Sequence, residues 1–383
     1  LALRVLAYIN LINAVLLFCA ATLIFLPAPH YLLWLAGVAA SELPLQIAML
    51  ALVLLAVSFI LLRLKRHRKI SVASASLALL ASLLALADIG SIYHYASANR
   101  FDLSASDCFN FLGLDKNAQK LEAQEYAKRD GRPLNLDIYE PISRSTGKRA
   151  AIVVVHGGSW RNGRRSDFAQ YDFWLAGLGY TVFDLDYRLC NSSVHFPAPV
   201  QDIEQALSWI KAHADQYHVD RDRIALLGRS AGAELALVAA YRTALAGSTL
   251  KPVRCVVSLY GPTDLTWNYH HPVKPDVIDT AVVLKNYIGG PPDALPELYA
   301  QASPINLICD QTPPSLFLHG GRDQLVSTSN VERLEPLLKT HRIPYEYCLL
   351  PWANHGFDWH CSGFSSQISK AVIKKFLQKY LTY

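Results

Sequence analysis

Between Arg4 and Arg63 the chain carries one charged side chain, Glu42. The first quarter of the sequence holds three apolar stretches, at about residues 5–26, 45–62 and 71–93. Each is close to the ~20 residues that a helix needs to cross ~30 Å of hydrocarbon. Buried core helices are the other reading of such stretches, but three in succession, nearly free of charge, exceed what a soluble core uses. The first stretch also invites comparison with a secretory leader whose charged start is Arg4. It is long for that role, and the LPAPH after it offers no Ala-x-Ala site, so a retained anchor is expected. Asn10 and Asn13 within it are expected to face neighbouring helices. The Ala- and Ser-rich third stretch suits close helix packing.

The segment RLKRHRKI at 63–70 contains five Lys or Arg and no acid. It explains the whole net charge of +5, because outside it 31 basic residues face 31 acidic ones. No basic face for nucleic acid is therefore expected. Lying between two apolar stretches, the cluster is instead a topology signal. The positive-inside rule places it in the cytoplasm, with the N-terminus on the same side and everything after the third helix on the extracytoplasmic side. Cys19 falls in the first helix, and six further cysteines fall outside the membrane stretches, where disulfides are permitted. Cys255 and Cys348 lie in strand-like runs and read as plain buried thiols. No CxxC spacing marks a metal or redox site.

This pattern gives three domains. Residues 1–98 form a membrane module, 99–121 a linker or cap segment, and 122–383 a catalytic α/β domain. In the last, candidate strands at 122–128, 134–140, 150–155, 181–185, 224–227, 253–259, 315–318 and 345–350 alternate, after the second, with helical patterns such as PVQDIEQALSWIKAHA. Strands alternating with helices predict a mostly parallel sheet covered on both faces. DGRP at 130–133 predicts a hairpin-type turn between the first two strands.

The chemistry enters at RIALLGRSAGAELALVAAY, where an apolar strand meets Gly228-Arg229-Ser230-Ala231-Gly232 and a helical pattern comes next. This is G-x-S-x-G in the strand–turn–helix setting its mechanism requires. The bare pattern would arise by chance in about one chain in ten of this length, so the setting carries the weight. A nucleophilic serine needs a base, and the base an orienting acid, in the chain order Ser, Asp, His. Asp323 follows the strand at 315–318, and His355 follows the strand at 345–350. Both thus fall at carboxyl ends of strands, the edge where ligands bind in open α/β sheets. Alone, Asp323 reads as a turn residue and His355 as a loop histidine; the joint order argues for more. Asp310, Asp358, His341 and His360 compete, but His341 precedes its strand and His360 lies farther from the strand end.

The tripeptide His-Gly-Gly occurs twice, at 156–158 and 319–321. The first copy follows a strand in the place where an oxyanion-binding loop is needed, and with the N–H of Ala231 the amides of Gly157 and Gly158 are candidate donors. The second copy turns the chain so that Asp323 reaches His355.

The stretches HGGSW, DYRLCNSSVHFPAPVQD, GRSAGAELAL, YGPTDL, HGGRDQLV and NHGF resemble the α/β-hydrolase superfamily, and within it carboxylesterases of the hormone-sensitive-lipase and kynurenine-formamidase-like group. They span about residues 137–357 in the expected order. The resemblance implies an α/β-hydrolase fold with a mostly parallel eight-stranded sheet. It implies Ser230 as nucleophile, Asp323 as acid, His355 as base, and Gly157, Gly158 and Ala231 as the oxyanion hole. Departures are Ser159 after HGG, Arg229 and Ala233 around the serine, and Cys-Asn-Ser after YRL. The membrane module lies outside the resemblance.

The expected activity is hydrolysis of carboxylic esters by a membrane-anchored serine hydrolase needing no metal or organic cofactor. The expected partners are a small-molecule or lipid ester and the lipid bilayer, with the oligomeric state left open. The same residues also suit a lipase or lipid deacylase, or an amidase or peptidase. A catalytically inactive membrane scaffold would need none of the three.

Overall fold

The structure is a computed structural model describing residues 2–65, 67–143, 147–245, 247–248 and 250–382. Arg66 of the cationic segment lies outside the described residues. Packing divides the chain into two compact units. One comprises residues 1–111 with 351–368, and the other 112–350 with 369–383. The boundary between residues 368 and 369 falls inside the last helix rather than at a domain edge visible in the sequence.

In the first unit, α1 (Ala2–Leu23), α3 (Pro44–Arg63) and α4 (Arg68–Ala98) are long and apolar enough to cross a membrane. They pack through small residues: Ala7, Ala14 and Ala21 of α1, Ala51 and Ser58 of α3, and Ser74, Ala81 and Ala85 of α4 are buried. Small side chains let helix backbones approach closely. The Asn10 amide donates to Ser58 Oγ at 2.8 Å and Ser74 Oγ at 2.6 Å, tying the three helices together. Asn13 departs from expectation: it is exposed and returns its amide to Ile9 O one turn back. The large apolar side chains Leu16, Val53 and Leu83 are more than half exposed. The expected loop between the first two apolar stretches holds a further helix, α2 (Tyr31–Glu42). Its twelve residues are too few to span a bilayer, and its start and end are marked by His30 and by Pro44 at the head of α3.

The second unit is built on a nine-stranded sheet. Its strands are β1 (Ala118–Lys120), β2 (Gln124–Arg129), β3 (Arg132–Pro141), β4 (Arg149–Val155), β5 (Thr181–Leu185), β6 (Val219–Arg229), β7 (Cys255–Leu259), β8 (Ser315–Gly320) and β9 (Tyr345–Leu350). All eight expected strands are present; β1 is the addition, a three-residue piece paired antiparallel to β3. The sheet order is β1-β3-β5-β4-β6-β7-β8-β9, with β2 also on β3. From β5 through β9 every pairing is parallel, so the sheet is mostly parallel as expected. Every residue of β5, β7 and β8 is buried, which requires cover on both faces. Asp130 and Gly131 both have positive φ and close the β2–β3 hairpin, the two-residue turn that suits the right-handed twist of the strands.

The crossover helices are α5 (Ala169–Gly177), α6 (Ala198–Ala212), α7 (Ala231–Ala244), α8 (Leu265–His270), α9 (Thr280–Ile288), α10 (Pro296–Gln301), α11 (Ser329–Thr340) and α12 (Phe364–Leu381). The most deeply set is α7, where thirteen side chains are buried, because Ala and Leu occupy every face. A helix apolar all round belongs in a core.

Register fixes the working edge. Val155, the last residue of β4, pairs with Gly228, and Leu259 pairs with Arg229. The loop after β4 and the turn after β6 therefore leave the sheet side by side.

Candidate active site

Ser230 follows β6 and caps α7, with φ 53° and ψ −123°. A non-glycine residue rarely adopts this backbone, and its cost is tolerated where surrounding structure over-determines it. The neighbours show why. A Cβ on Gly228 would lie 2.2 Å from the carbonyl oxygen of Gly232, and one on Gly232 would lie 2.2 Å from that of His156. Only glycines permit so tight a turn against the loop after β4. The turn is held by Ser230 N donating to Leu259 O at 2.9 Å.

The His-Gly-Gly loop packs directly on this turn. A Cβ on Gly157 would meet Arg229 O at 2.9 Å and Ser230 Cβ at 3.2 Å. Gly158 has φ +120°, and a Cβ there would sit 2.1 Å from Asn162 O. His156 is buried, its Nδ1 lies 2.7 Å from Gly157 O, and its ring stacks on Tyr187 at 4.3 Å. Burial holds its imidazole below the usual range, so it donates as a neutral ring. Ser230 and Ala231 thus lie beside the loop that carries Gly157 and Gly158.

Asp323 lies three residues beyond β8 and is buried. Its Oδ1 accepts from Leu325 N at 2.8 Å and Val326 N at 2.9 Å. The second His-Gly-Gly copy works differently from the first. His319 is buried in β8, its Nε2 stands 2.8 Å from Val326 O and 3.4 Å from Asp323 Oδ2, and so it pins both sides of the aspartate turn.

His355 belongs to the first compact unit. It is buried, and its backbone N–H donates to Asn354 Oδ1 at 2.8 Å. The competing groups have other occupations. Asp310 and His341 pair with each other at 2.7 Å, with the Asp310 side chain 82% exposed. In the first unit, His360 sets Nε2 2.9 Å from Cys108 O and stacks on Phe111.

A pocket of about 40 Å³ reaches Ser230, walled by Trp160, Ala231, Ile278, Val283, Leu284 and Val326 among others. A larger groove of about 690 Å³, lined by Arg129, Glu204 and Arg242, touches none of the candidate residues and offers them no chemistry. The Trp160 side of the small pocket is held by Glu234, a residue without a marked sequence motif. Trp160 Nε1 donates to Glu234 Oε2 at 2.8 Å, and the Tyr287 hydroxyl lies 3.1 Å from Glu234 Oε1. The Trp160 and Tyr287 rings stack at 4.2 Å. Glu234 is fully buried, and desolvation pushes its carboxyl well above the usual range, against the lowering effect of both hydrogen bonds. The signal was present: one acid inside the otherwise apolar GAELALVAA of α7.

Arg229, also buried, lies 4.2 Å from the Phe168 ring and 4.6 Å from that of Tyr171. All seven cysteines carry free thiols, Cys255 and Cys348 buried as expected. Among the described residues no group of three or more His, Cys, Asp or Glu is arranged to hold a metal ion. Trp267 stacks on His271 and does not line the pocket, whereas its neighbour Asn268 does.

A family model, BD-FAE, matches residues 136–338, more than half of the chain. The chain belongs to the BD-FAE family. The BD-FAE match contains Gly157, Gly158, Ser230, Ala231 and Asp323, while His355 follows it. The probable carboxylic ester hydrolase LipM of Mycobacterium tuberculosis is 29% identical over 264 residues, covering 66% of this chain and 60% of its own length. Esterase LipC of the same organism is 30% identical over 236 residues, covering 58% and 57%. The chain thus spans about three fifths of the length of these curated relatives. Among solved structures, a bacterial heroin esterase superposes with a TM-score of 0.61 at 22% identity, over 77% of this chain and 91% of that one. The BD-FAE chain has the α/β-hydrolase fold, preceded by three apolar helices.

Proposed function

We propose that this BD-FAE protein is a serine esterase held at a membrane by α1, α3 and α4, with a short-chain carboxylic ester as substrate. The observation that carries the reading is the backbone of Ser230. Its positive φ between β6 and α7 lifts the hydroxyl clear of the sheet, and Gly157 packs against it. The names of the relatives, carboxylic ester hydrolase and esterase, support the same reaction.

In this reading His355 takes the Ser230 proton as Oγ bonds to the ester carbonyl carbon. The amides of Gly157, Gly158 and Ala231 receive the charge that develops on the carbonyl oxygen. His355 then passes the proton to the departing alcohol oxygen, leaving an acyl-enzyme. Water, deprotonated by His355, attacks the acyl carbon, and the acid leaves as Ser230 recovers its proton. Asp323 fixes the orientation of the imidazole, its own position set by the Leu325 and Val326 amides.

The pocket favours a short acyl group over a lipid acyl chain. At about 10–15 Å³ for each water-sized occupant, 40 Å³ admits about three or four heavy atoms. The exposed apolar surface of α1, α3 and α4 supports the anchor. The positive cluster between α3 and α4 supports a cytoplasmic loop there, with the second unit extracytoplasmic.

The test is labelling of the full chain by a fluorophosphonate, alongside hydrolysis of aryl acetates. One label should attach, and Ser230→Ala should abolish both labelling and turnover. Asp323→Asn should keep the label site yet lower kcat by about 10³-fold or more. Labelling that survives Ser230→Ala would refute the assignment.

A further inference from the structure

The helix that the sequence did not predict, α2, meets the segment that carries the candidate base. Trp34, 7% exposed, donates its indole N–H to Asn354 Oδ1 at 3.2 Å. The same oxygen accepts the His355 backbone N–H at 2.8 Å. The Asn354 amide is therefore a strap between the Trp34 ring and the backbone of His355. The Trp34 and His355 rings stand 6.5 Å apart, tilted by 49°.

The other end of α2 makes a second attachment. Trp352 Nε1 donates to Ser365 Oγ at 3.0 Å, and Ser365 Oγ donates to Glu42 Oε1 at 2.9 Å. Glu42 and Trp34 lie eight residues apart, about 12 Å along the helix. Tyr95 of α4 packs edge-on to Trp352 at 5.2 Å, and Tyr93 to Phe364 at 5.4 Å. Residues 351–368 are thus fixed on both sides of His355 by side chains of the N-terminal helices. Burial of Glu42 pushes its carboxyl well above the usual range, consistent with a group kept from water by these contacts.

We infer that Trp34, and Glu42 through Ser365, are positioning residues for His355. The N-terminal module is then part of the machinery that sets the imidazole, and not only an anchor. This rests on the proposed role of His355. Catalysis by a base is sensitive to its placement, and a displacement near 1 Å costs up to about 10²-fold. Trp34→Phe keeps an aromatic ring but removes the indole donor together with part of the ring volume, while Asn354→Leu removes the strap.

The experiment uses the full chain in detergent micelles and separates the rate of fluorophosphonate labelling from the fraction of protein labelled. Trp34→Phe and Asn354→Leu should each lower kcat by about tenfold and the labelling rate in parallel, with KM within about twofold and the labelled fraction complete. The double variant should fall no further than the worse single one, because both changes cut one connection. Glu42→Leu should fall similarly, with Glu42→Gln recovering most of the loss because it keeps an oxygen acceptor. Wild-type kcat in Trp34→Phe would overturn the inference. A smaller labelled fraction with an unchanged rate would do the same, since it reports lost folding and not a misplaced base. A wild-type chain that takes no label at Ser230 would instead defeat the proposed function itself.

Discussion

The Trp160 indole donates to the Glu234 carboxyl group at 2.8 Å, Trp160 itself lining the pocket that reaches Ser230. The bond joins the His-Gly-Gly loop to the helix that starts at Ser230. Because Glu234 titrates in the folded state well above its unfolded value near 4.5, the native protein holds a proton that the unfolded chain releases. The stability this contributes is complete below about pH 4.5 and is lost as pH rises toward the folded-state pKa. Glu234→Gln mimics the protonated group. Its melting temperature relative to the wild type should therefore climb as pH rises above about 5. A constant offset across that range would show that Glu234 is ionised in the fold.

Gly157 offers a separate handle on the proposed oxyanion loop. A methyl group there meets Arg229 O and Ser230 Cβ, so it pushes on the nucleophile turn while leaving the core intact. Gly157→Ala should lower kcat by about 10²-fold, the scale of losing one oxyanion donor, with the far-UV spectrum unchanged. Full turnover in this variant would place the carbonyl oxygen elsewhere.

On the proposed function the pocket wall sets the acyl chain length. Leu284 is buried and contributes its side chain to that wall. Leu284→Ala should move the optimum of kcat/KM from acetyl toward butyryl or longer esters, at a stability cost of about 2–5 kcal/mol typical of such truncations. An unchanged acyl profile would mean the acyl group binds outside this pocket.

Topology is testable by cysteine access. Leu64 is exposed beside the cationic cluster, and Ser143 is exposed after β3. With native cysteines replaced, Ser143→Cys should react with an impermeant maleimide in intact cells, and Leu64→Cys should not. The reverse pattern would move the hydrolase unit to the cytoplasm.

The parts of this structure written in hydrophobic pattern were legible beforehand. β5 is a five-residue run between Tyr180 and Asp186, and its ends match the expectation at both residues. β6 begins five residues before the expected Ile224, because the polar stretch from Asp220 to Arg223 extends the strand where hydropathy is silent. β1 is only Ala-Gln-Lys and has no pattern to find. The residues around Ser230 were legible because glycine spacing encodes a steric demand that the backbone then displays. The roles of His319, Glu234 and Trp34 were not. Each acts through a partner distant in sequence or through a backbone turn, and neither leaves a local signature.

The hydrogen bond from Ser365 to Glu42 joins residues 323 positions apart, and this has a consequence for how the protein is made. At roughly 5–20 residues per second, a ribosome releases Glu42 about 15 to 65 seconds before Ser365 exists. Throughout that interval the acidic end of α2 has been synthesised without the group that will hold it. The N-terminal helices are first to emerge and among the last to be completed. A nascent chain stalled or cleaved before residue 351 would present them without the segment they are built to receive, which gives quality-control machinery a specific defect to recognise.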